Sequence, residues 1–370
     1  MSIFSQRPAL RWAVPGVAAV TFVGGGALVS TISANADAGL PPRTAAQLLV
    51  DVQQARLDGL SGTVVQRSDL GIPALPGTGG QGSSDLASMV SGTHTLRVWY
   101  AGPDKARLAL LGELGESDVI LNGTDLWTWS SRDNTATHRT VSRDTSAHKA
   151  PDATAIPKTP QEAADKALAA LDPTTQVTTS GTATVAGRSA YELLLAPKDS
   201  RSLISQVRIA VDGVKHVPLR VQVFAKGAAD PAFEVGFTAV DFSRPDAAQF
   251  AFNPPPGAKV TDATASATQK MGMAQPNPDA ATKATPANRP KVVGTGWTTV
   301  VVANVPAGST AKLDQGQLGA LLKALPKVSG SWGTGRVLAG KLFSVVLTDD
   351  GRVAAGAVTP QVLYAALAAK

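Results

Sequence analysis

Residues 118–140 read DVILNGTDLWTWSSRDNTATHRT. Asn122-Gly123 stands between two apolar runs, and Asn-Gly in that setting is the strongest short-range signal for a β-hairpin. Residues 118–121 and 125–131 read as its two strands, and Asp133-Asn134 turns the chain again. Trp127 and Trp129 lie two apart, so on a strand they share one face and leave Leu126 and Thr128 on the other. The chain has only 6 Trp in 370 residues. Two indoles side by side in water would be an aggregation hazard. The expectation is therefore that both point to the concave side of a sheet, beneath helices, against residues such as Leu48 and Val52.

The same alternation runs outward in both directions. Upstream, Leu96, Val98 and Tyr100 alternate with Thr95, Arg97 and Trp99, and residues 107–111 form a further strand after the Gly102-Pro103-Asp104 turn. Downstream, Tyr191, Leu193 and Leu195 share a face. So do Val207, Ile209 and Val211, then Val217, Leu219, Val221 and Val223, then Phe233, Val235 and Phe237. Alternation this regular means one dry face and one wet face. About eight to eleven such strands predict a strongly curved antiparallel sheet.

Two helices are available to cover its dry face. The first starts at a capping box formed by Thr44 and Gln47, carries Ala45, Leu48, Leu49 and Val52 at helical spacing, and stops at Gly59. The second opens at Thr159-Pro160-Gln161-Glu162 and ends at Asp172-Pro173. The dry face is larger than two helices fill, so it forms either an ordinary core or a ligand cavity.

The first 38 residues read as an export signal. Arg7 and Arg11 precede a stretch from Trp12 to Ile32 without a charge, and Ala34-Asn35-Ala36 and Ala36-Asp37-Ala38 are small-x-small cleavage patterns. The apolar run is long enough to serve as an anchor if it is kept. Either way the basic flank stays in the cytoplasm and the body lies at the extracytoplasmic face of the membrane, anchored or released.

Residues 39–260 then form the main domain, with a Gly/Pro/Ser-rich surface loop at 68–92. Residues 261–290 are rich in Ala, Thr and Pro without periodicity and read as a linker. Residues 291–370 form a smaller α+β unit, roughly β-α-β-β-α. It has a strand at 297–303, a helix marked by Leu318, Leu321, Leu322 and Leu325, strands within 336–348 and 352–358, and a last helix capped by Thr359-Pro360.

The formal charge is +6, and charged residues make up 17% of the chain. Lys and Arg are scattered with no interleaved aromatics, which argues against nucleic acid. There is no Cys, so disulfides and thiolate chemistry are excluded. His94, His138, His148 and His216 show no metal-ligand spacing, and no nucleophile elbow occurs. PGTGGQGSS, within the 68–92 loop, lacks the Lys-Ser/Thr ending of a phosphate loop. No catalytic residue, metal site or cofactor is expected.

Residues of about 40–262 resemble the superfamily of the LolA lipoprotein carriers and the RseB/MucB sensor proteins. The resemblance rests on five pieces in order: Leu60-Ser61-Gly62-Thr63-Val64-Val65; Trp99-Tyr100-x-x-Pro103-x-Lys105-x-Arg107; Val119-Ile120-Leu121-Asn122-Gly123 with Leu126-Trp127; Gly187 with Tyr191-Glu192-Leu193; and Phe250-x-Phe252-x-x-Pro255-Pro256-Gly257. It implies a half-open antiparallel barrel, α+β in class, with helices in its mouth and a concave face that takes acyl chains of lipoproteins or lipids. On that face the lining residues would be Leu96, Val98, Tyr100, Trp127, Trp129, Ile209, Val211, Val221, Val223, Val235 and Phe237.

Arg107 matches the position that in the carriers ties down the helical lid. If it points inward, Ala109 and Leu111 line the cavity and Leu108 and Leu110 do not. The function implied is that of a carrier or chaperone for acyl chains. The alternative is an extracytoplasmic sensor that touches a membrane regulator such as an anti-sigma factor; a transporter is the other partner class. The 68–92 loop is longer than the carriers need, simple carriers lack residues 261–370, and residues 291–370 match the sensors' smaller domain only weakly.

Overall fold

The computed structural model describes residues 39–72, 83–141, 173–263, 290–304, 322 and 324–369. The export signal, the second helix of the main domain, most of the linker and most of the 318–325 helix therefore lie outside the described residues.

The described part is mostly sheet, with two helices and a curved twelve-stranded sheet that does not close. Its strands are β1 (Leu60–Ser68), β2 (Gly92–Tyr100), β3 (Lys105–Gly112), β4 (Gly115–Asn122), β5 (Asp125–Ser130), β6 (Thr135–Thr140), β7 (Thr175–Val185), β8 (Arg188–Pro197), β9 (Ile204–Asp212), β10 (Pro218–Ala225), β11 (Pro231–Asp241) and β12 (Lys259–Asp262). Their order is β12-β6-β5-β4-β3-β2-β1-β11-β10-β9-β8-β7.

Two antiparallel meanders thus meet at β1, which pairs with β2 on one side and β11 on the other. Between β1 and β11 the register slips at Thr63/Val64. A side chain at Gly62 would meet the Ala239 carbonyl oxygen at 2.4 Å, so this bulged crossing requires glycine. β12 returns to pair in parallel with β6.

Helix α1 (Ala45–Gln54) begins at the expected capping box: Gln47 N donates to Thr44 Oγ1 at 3.2 Å, and Thr44 N donates to Gln47 Oε1 at 2.9 Å. It ends at Gln54 rather than running to Gly59. Gly59 has a different job: a Cβ there would sit 2.3 Å from Arg244 Cα, so the glycine lets two backbones touch.

The hairpin around Asn122 also differs from expectation. Asn122 pairs with Asp125, so the two loop residues are Gly123 and Thr124, and Gly123 adopts φ +68°. Glycine is needed because it occupies the first loop position, where φ is positive.

A second, six-stranded sheet is built from β13 (Lys291–Val293), β14 (Val300–Asn304), β15 (Lys327–Gly330), β16 (Gly333–Ala339), β17 (Ser344–Thr348) and β18 (Arg352–Gly356), in the order β13-β14-β18-β17-β16-β15. Helix α2 (Pro360–Ala368) follows, with Pro360 in its first turn. This sheet has its own core of Val300, Trp332, Val337, Val346, Val358 and Leu363. Trp297 and Thr298, expected as the start of a strand, lie instead in the short 3-10 turn Gly296–Thr298 before β14.

Candidate functional site

Cross-strand pairing decides which side chains share a face of the large sheet. Val64 lies opposite Leu96, Leu96 opposite Leu110, Val98 opposite Leu108, and Leu108 opposite Val119. On the other side of β1, Val64 lies opposite Phe237, Val235 opposite Val221, and Val221 opposite Ile209. These residues, with Val207, Val223 and Phe233, merge into one apolar cluster spanning β4 to β9. Ile209 joins it to Leu193, Tyr191 and the two buried leucines of α1, Leu48 and Leu49. The face that carries this cluster and α1 is the inner face.

Nine of the proposed lining residues lie on the inner face by this register: Leu96, Val98, Tyr100, Ile209, Val211, Val221, Val223, Val235 and Phe237. Trp127 and Trp129 do not. They pair with His138 and Ala136 on β6 and with Ile120 and Asp118 on β4, all on the outer face. The expectation that the indoles pack beneath α1 against Leu48 and Val52 is thus corrected.

The tryptophans are covered all the same, by the chain after β11. Phe252 lies 5.3 Å from the Trp127 ring and 6.0 Å from the Trp129 ring, and His138 stacks on Trp127 at 4.5 Å. The Phe250-x-Phe252 pattern supplies this cover, with Phe250 fully buried beside it.

Arg107 is also on the outer face. Its guanidinium lies 5.2 Å from the Trp99 ring, donates from Nε to Asp118 Oδ1 at 2.8 Å, and reaches the Gln249 carbonyl at 3.5 Å. What it holds among the described residues is the 3-10 turn Ala247–Phe250. Leu108 and Leu110 consequently belong to the inner face, and Ala109 and Leu111 do not.

Among the described residues, three pieces of chain cover the inner apolar cluster. One is α1. The second is the 3-10 turn Leu86–Val90, which places Leu86 and Met89 on the cluster. It is fastened by side chains of the sheet: Gln66 Nε2 donates to Met89 O at 2.8 Å, Ser68 Oγ to Val90 O at 2.9 Å, and His94 Nε2 to Ser91 O at 2.8 Å. Part of the expected surface loop is therefore a piece of lid. The third is the turn between β16 and β17, which delivers Leu342 and Phe343 into the cluster from the second sheet. Nothing local marks Leu342 and Phe343 as reaching the large sheet; they fall within residues 336–348, which read only as strands.

Toward the β6 edge the inner face becomes polar. A cavity of about 280 Å³ is lined there by Ser84, Asp85, Ser117, Thr128, Ser130, Arg132, Asp133, Thr135 and Thr137, with Leu86 on the side of the apolar cluster, and Trp129 also contributes to its wall. Among the described residues no group of His, Asp or Glu has metal-binding geometry, and no helix is long and apolar enough to cross a membrane.

No protein-family model matches the chain, and no curated protein does. Solved structures do match. The complex of MucA and MucB from Pseudomonas aeruginosa aligns at 14% identity with a TM-score of 0.41, covering 87% of this chain and 96% of that one. An uncharacterized conserved protein from Thermus thermophilus aligns at 11% identity and TM-score 0.35, over 59% of this chain and 98% of that one. A LolA superfamily protein from Nitrosomonas europaea aligns at 12% identity and TM-score 0.20, over 57% of this chain and 99% of that one. The solved structures that this chain matches thus include MucB and LolA superfamily proteins, at low identity and low TM-score.

Proposed function

We propose that this is an exported, non-enzymatic protein that holds acyl chains of lipoproteins or lipids against the inner face of its large sheet. The observation that carries the reading is the inner apolar cluster itself. It runs unbroken from β4 to β9, and among the described residues the only α-helix laid on it is α1, ten residues long. Among the described residues the remaining cover is two turns, Leu86–Val90 and the one that carries Leu342 and Phe343. An apolar face of that extent suits an exchangeable apolar occupant. Each methylene withdrawn from water contributes about 0.8 kcal/mol, so a hydrocarbon chain binds there without polar recognition. The hydroxyl-lined cavity next to Leu86 leaves room for a polar end group.

The working role is that of a carrier or chaperone at the extracytoplasmic side of the membrane. A sensor is the second reading, and one observation favours it: the second sheet reaches the inner face through Leu342 and Phe343, so occupancy of the face is felt outside the main sheet. The test is mass spectrometry of lipid extracted from the purified full chain, together with titration by a fluorescent fatty acid. Stoichiometric co-purified lipid and saturable probe binding are expected; absence of both rejects the acyl-chain reading. Capture of a membrane regulator by the second sheet separates sensor from carrier.

A further inference from the structure

The six-stranded sheet does not merely stand beside the large one. The turn linking β16 to β17 leaves its own core and inserts Leu342 and Phe343 among side chains of the inner face. Leu342 is 9% exposed and belongs to the cluster of Val64, Leu96, Val98 and Val235, and Phe343 packs against it. The turn is closed by Gly340 N donating to Phe343 O at 2.9 Å and is tied to the chain after β1 by Lys341 N donating to Leu70 O at 2.7 Å. Gly340 is required, because a Cβ there would meet Leu70 O at 2.9 Å. Lys341 Nζ also pairs with Asp69, with both side chains largely exposed, so the pair adds little holding strength.

Two further links reach the same end of the sheet. Leu203 N donates to Ala357 O at 2.8 Å just before β9, and Trp297 Nε1 donates to Thr175 Oγ1 at 2.7 Å at the start of β7. The attachment is therefore a few rim hydrogen bonds around two apolar side chains. The second sheet keeps its separate core, in which neither Leu342 nor Phe343 takes part. Withdrawal of the turn would leave that core whole and open an apolar slot on the large sheet.

We infer that the slot filled by Leu342 and Phe343 is an acyl-chain subsite, and that the 340–343 turn and the acyl chain exclude each other from it. The inference rests on the acyl-chain reading of the inner face and gives it a stopper. A protein that must keep an unoccupied apolar slot out of water needs something to fill it, and here the filler is carried by the other sheet. Binding then reports itself as release of the 340–343 turn. The apparent affinity is the intrinsic affinity scaled by the fraction of molecules in which the turn is out.

The test uses the full chain and cis-parinaric acid as probe. The chain has no Cys of its own, so Asp69→Cys with Lys341→Cys offers one disulfide that locks the turn in place. Oxidation is expected to abolish probe binding at the slot and reduction to restore it. Leu342→Ala with Phe343→Ala is expected to tighten apparent binding by about tenfold or more, because the undocked fraction rises. Equal binding by the oxidised and reduced forms overturns the stopper and leaves the acyl-chain reading intact. So does unchanged affinity in a folded Leu342→Ala, Phe343→Ala variant. If the cysteine pair does not oxidise, the Leu342→Ala, Phe343→Ala variant decides alone, and its unchanged affinity overturns the stopper. No probe binding by wild type, reduced or truncated forms rejects both the stopper and the acyl-chain reading.

Discussion

Arg107 Nε and Asp118 Oδ1 lie 2.8 Å apart on neighbouring strands of the outer face, and the Asp118 side chain is 1% exposed. The carboxylate has been taken out of water and its charge is answered by one guanidinium. Removing one partner of such a pair typically costs about 3–5 kcal/mol, because the other is left buried and uncompensated. Arg107→Ala is expected to lose stability of that order in urea unfolding. Arg107→Met combined with Asp118→Leu is expected to recover most of it. An equal loss in the single and double variants would show that the pair is not the cause.

His138 bridges Asp125 and Asp262, with Nε2 2.8 Å from Asp125 Oδ1 and Nδ1 2.9 Å from Asp262 Oδ1. It thereby pins β12 to β6. The hydrogen bond with Asp125, then that with Asp262, raises its pKa above 6.5. A raised folded-state pKa means that the contribution is complete below the unfolded value and is lost as pH rises through the folded one. The carboxylates are exposed, so the effect is modest. Melting curves taken across that range should show wild type losing more stability on the alkaline side than His138→Gln. Parallel pH profiles for the two proteins would refute the bridge.

Asp212 titrates in the opposite sense. Burial alone would raise its pKa, but the hydrogen bond from Arg188 and those from the Lys215 and Val214 amides outweigh burial and lower it. A lowered folded-state pKa gives stability that is present above the unfolded value and is lost as pH falls through the folded one. Asp212→Asn is expected to be less stable at neutral pH and to show a flatter acid limb in a denaturation series. An acid limb identical to that of wild type would mean that another carboxylate controls it.

Trp129 is 9% exposed on the outer face, and Trp127 is half-buried beside it. Truncating a well-buried Trp costs about 3–5 kcal/mol. Trp129→Ala should melt far earlier than wild type and Trp127→Ala somewhat earlier. Folded Trp127→Ala protein should bind a fatty-acid probe with wild-type affinity, since that indole stacks against His138 and Phe252 on the outer face. A selective loss of probe affinity with little change in melting would place the acyl site on the outer face instead.

Cleavage of the chain between residues 264 and 289 is expected to leave the two sheets associated. Leu342 and Phe343, the Leu203–Ala357 hydrogen bond and the Trp297–Thr175 hydrogen bond all cross between them. Size-exclusion chromatography after limited proteolysis would show one peak containing both fragments. Two separated, folded fragments would mean that the docking is too weak to serve as a stopper.

Sequence alone determined whatever depends on residues close along the chain. The capping box at Thr44 and Gln47, the hairpin at Gly123 and the division of each strand into two faces are local, the last because strand side chains alternate with a period of two. Sequence did not determine which of the two faces is inside. Alternation is symmetric, and around β3 to β5 both faces are rich in apolar groups: Leu108, Leu110 and Val119 on one, Ile120, Trp127 and Trp129 on the other. The choice was made by what covers each face. Phe250 and Phe252 come back over the tryptophans and Arg107, while α1, the Leu86–Val90 turn and Leu342 with Phe343 come over the other side. Lys341 and Asp69 are 272 residues apart in the chain. A contact at that separation leaves no periodic trace around either residue, so only the packed tertiary structure could bring the second sheet onto the inner face.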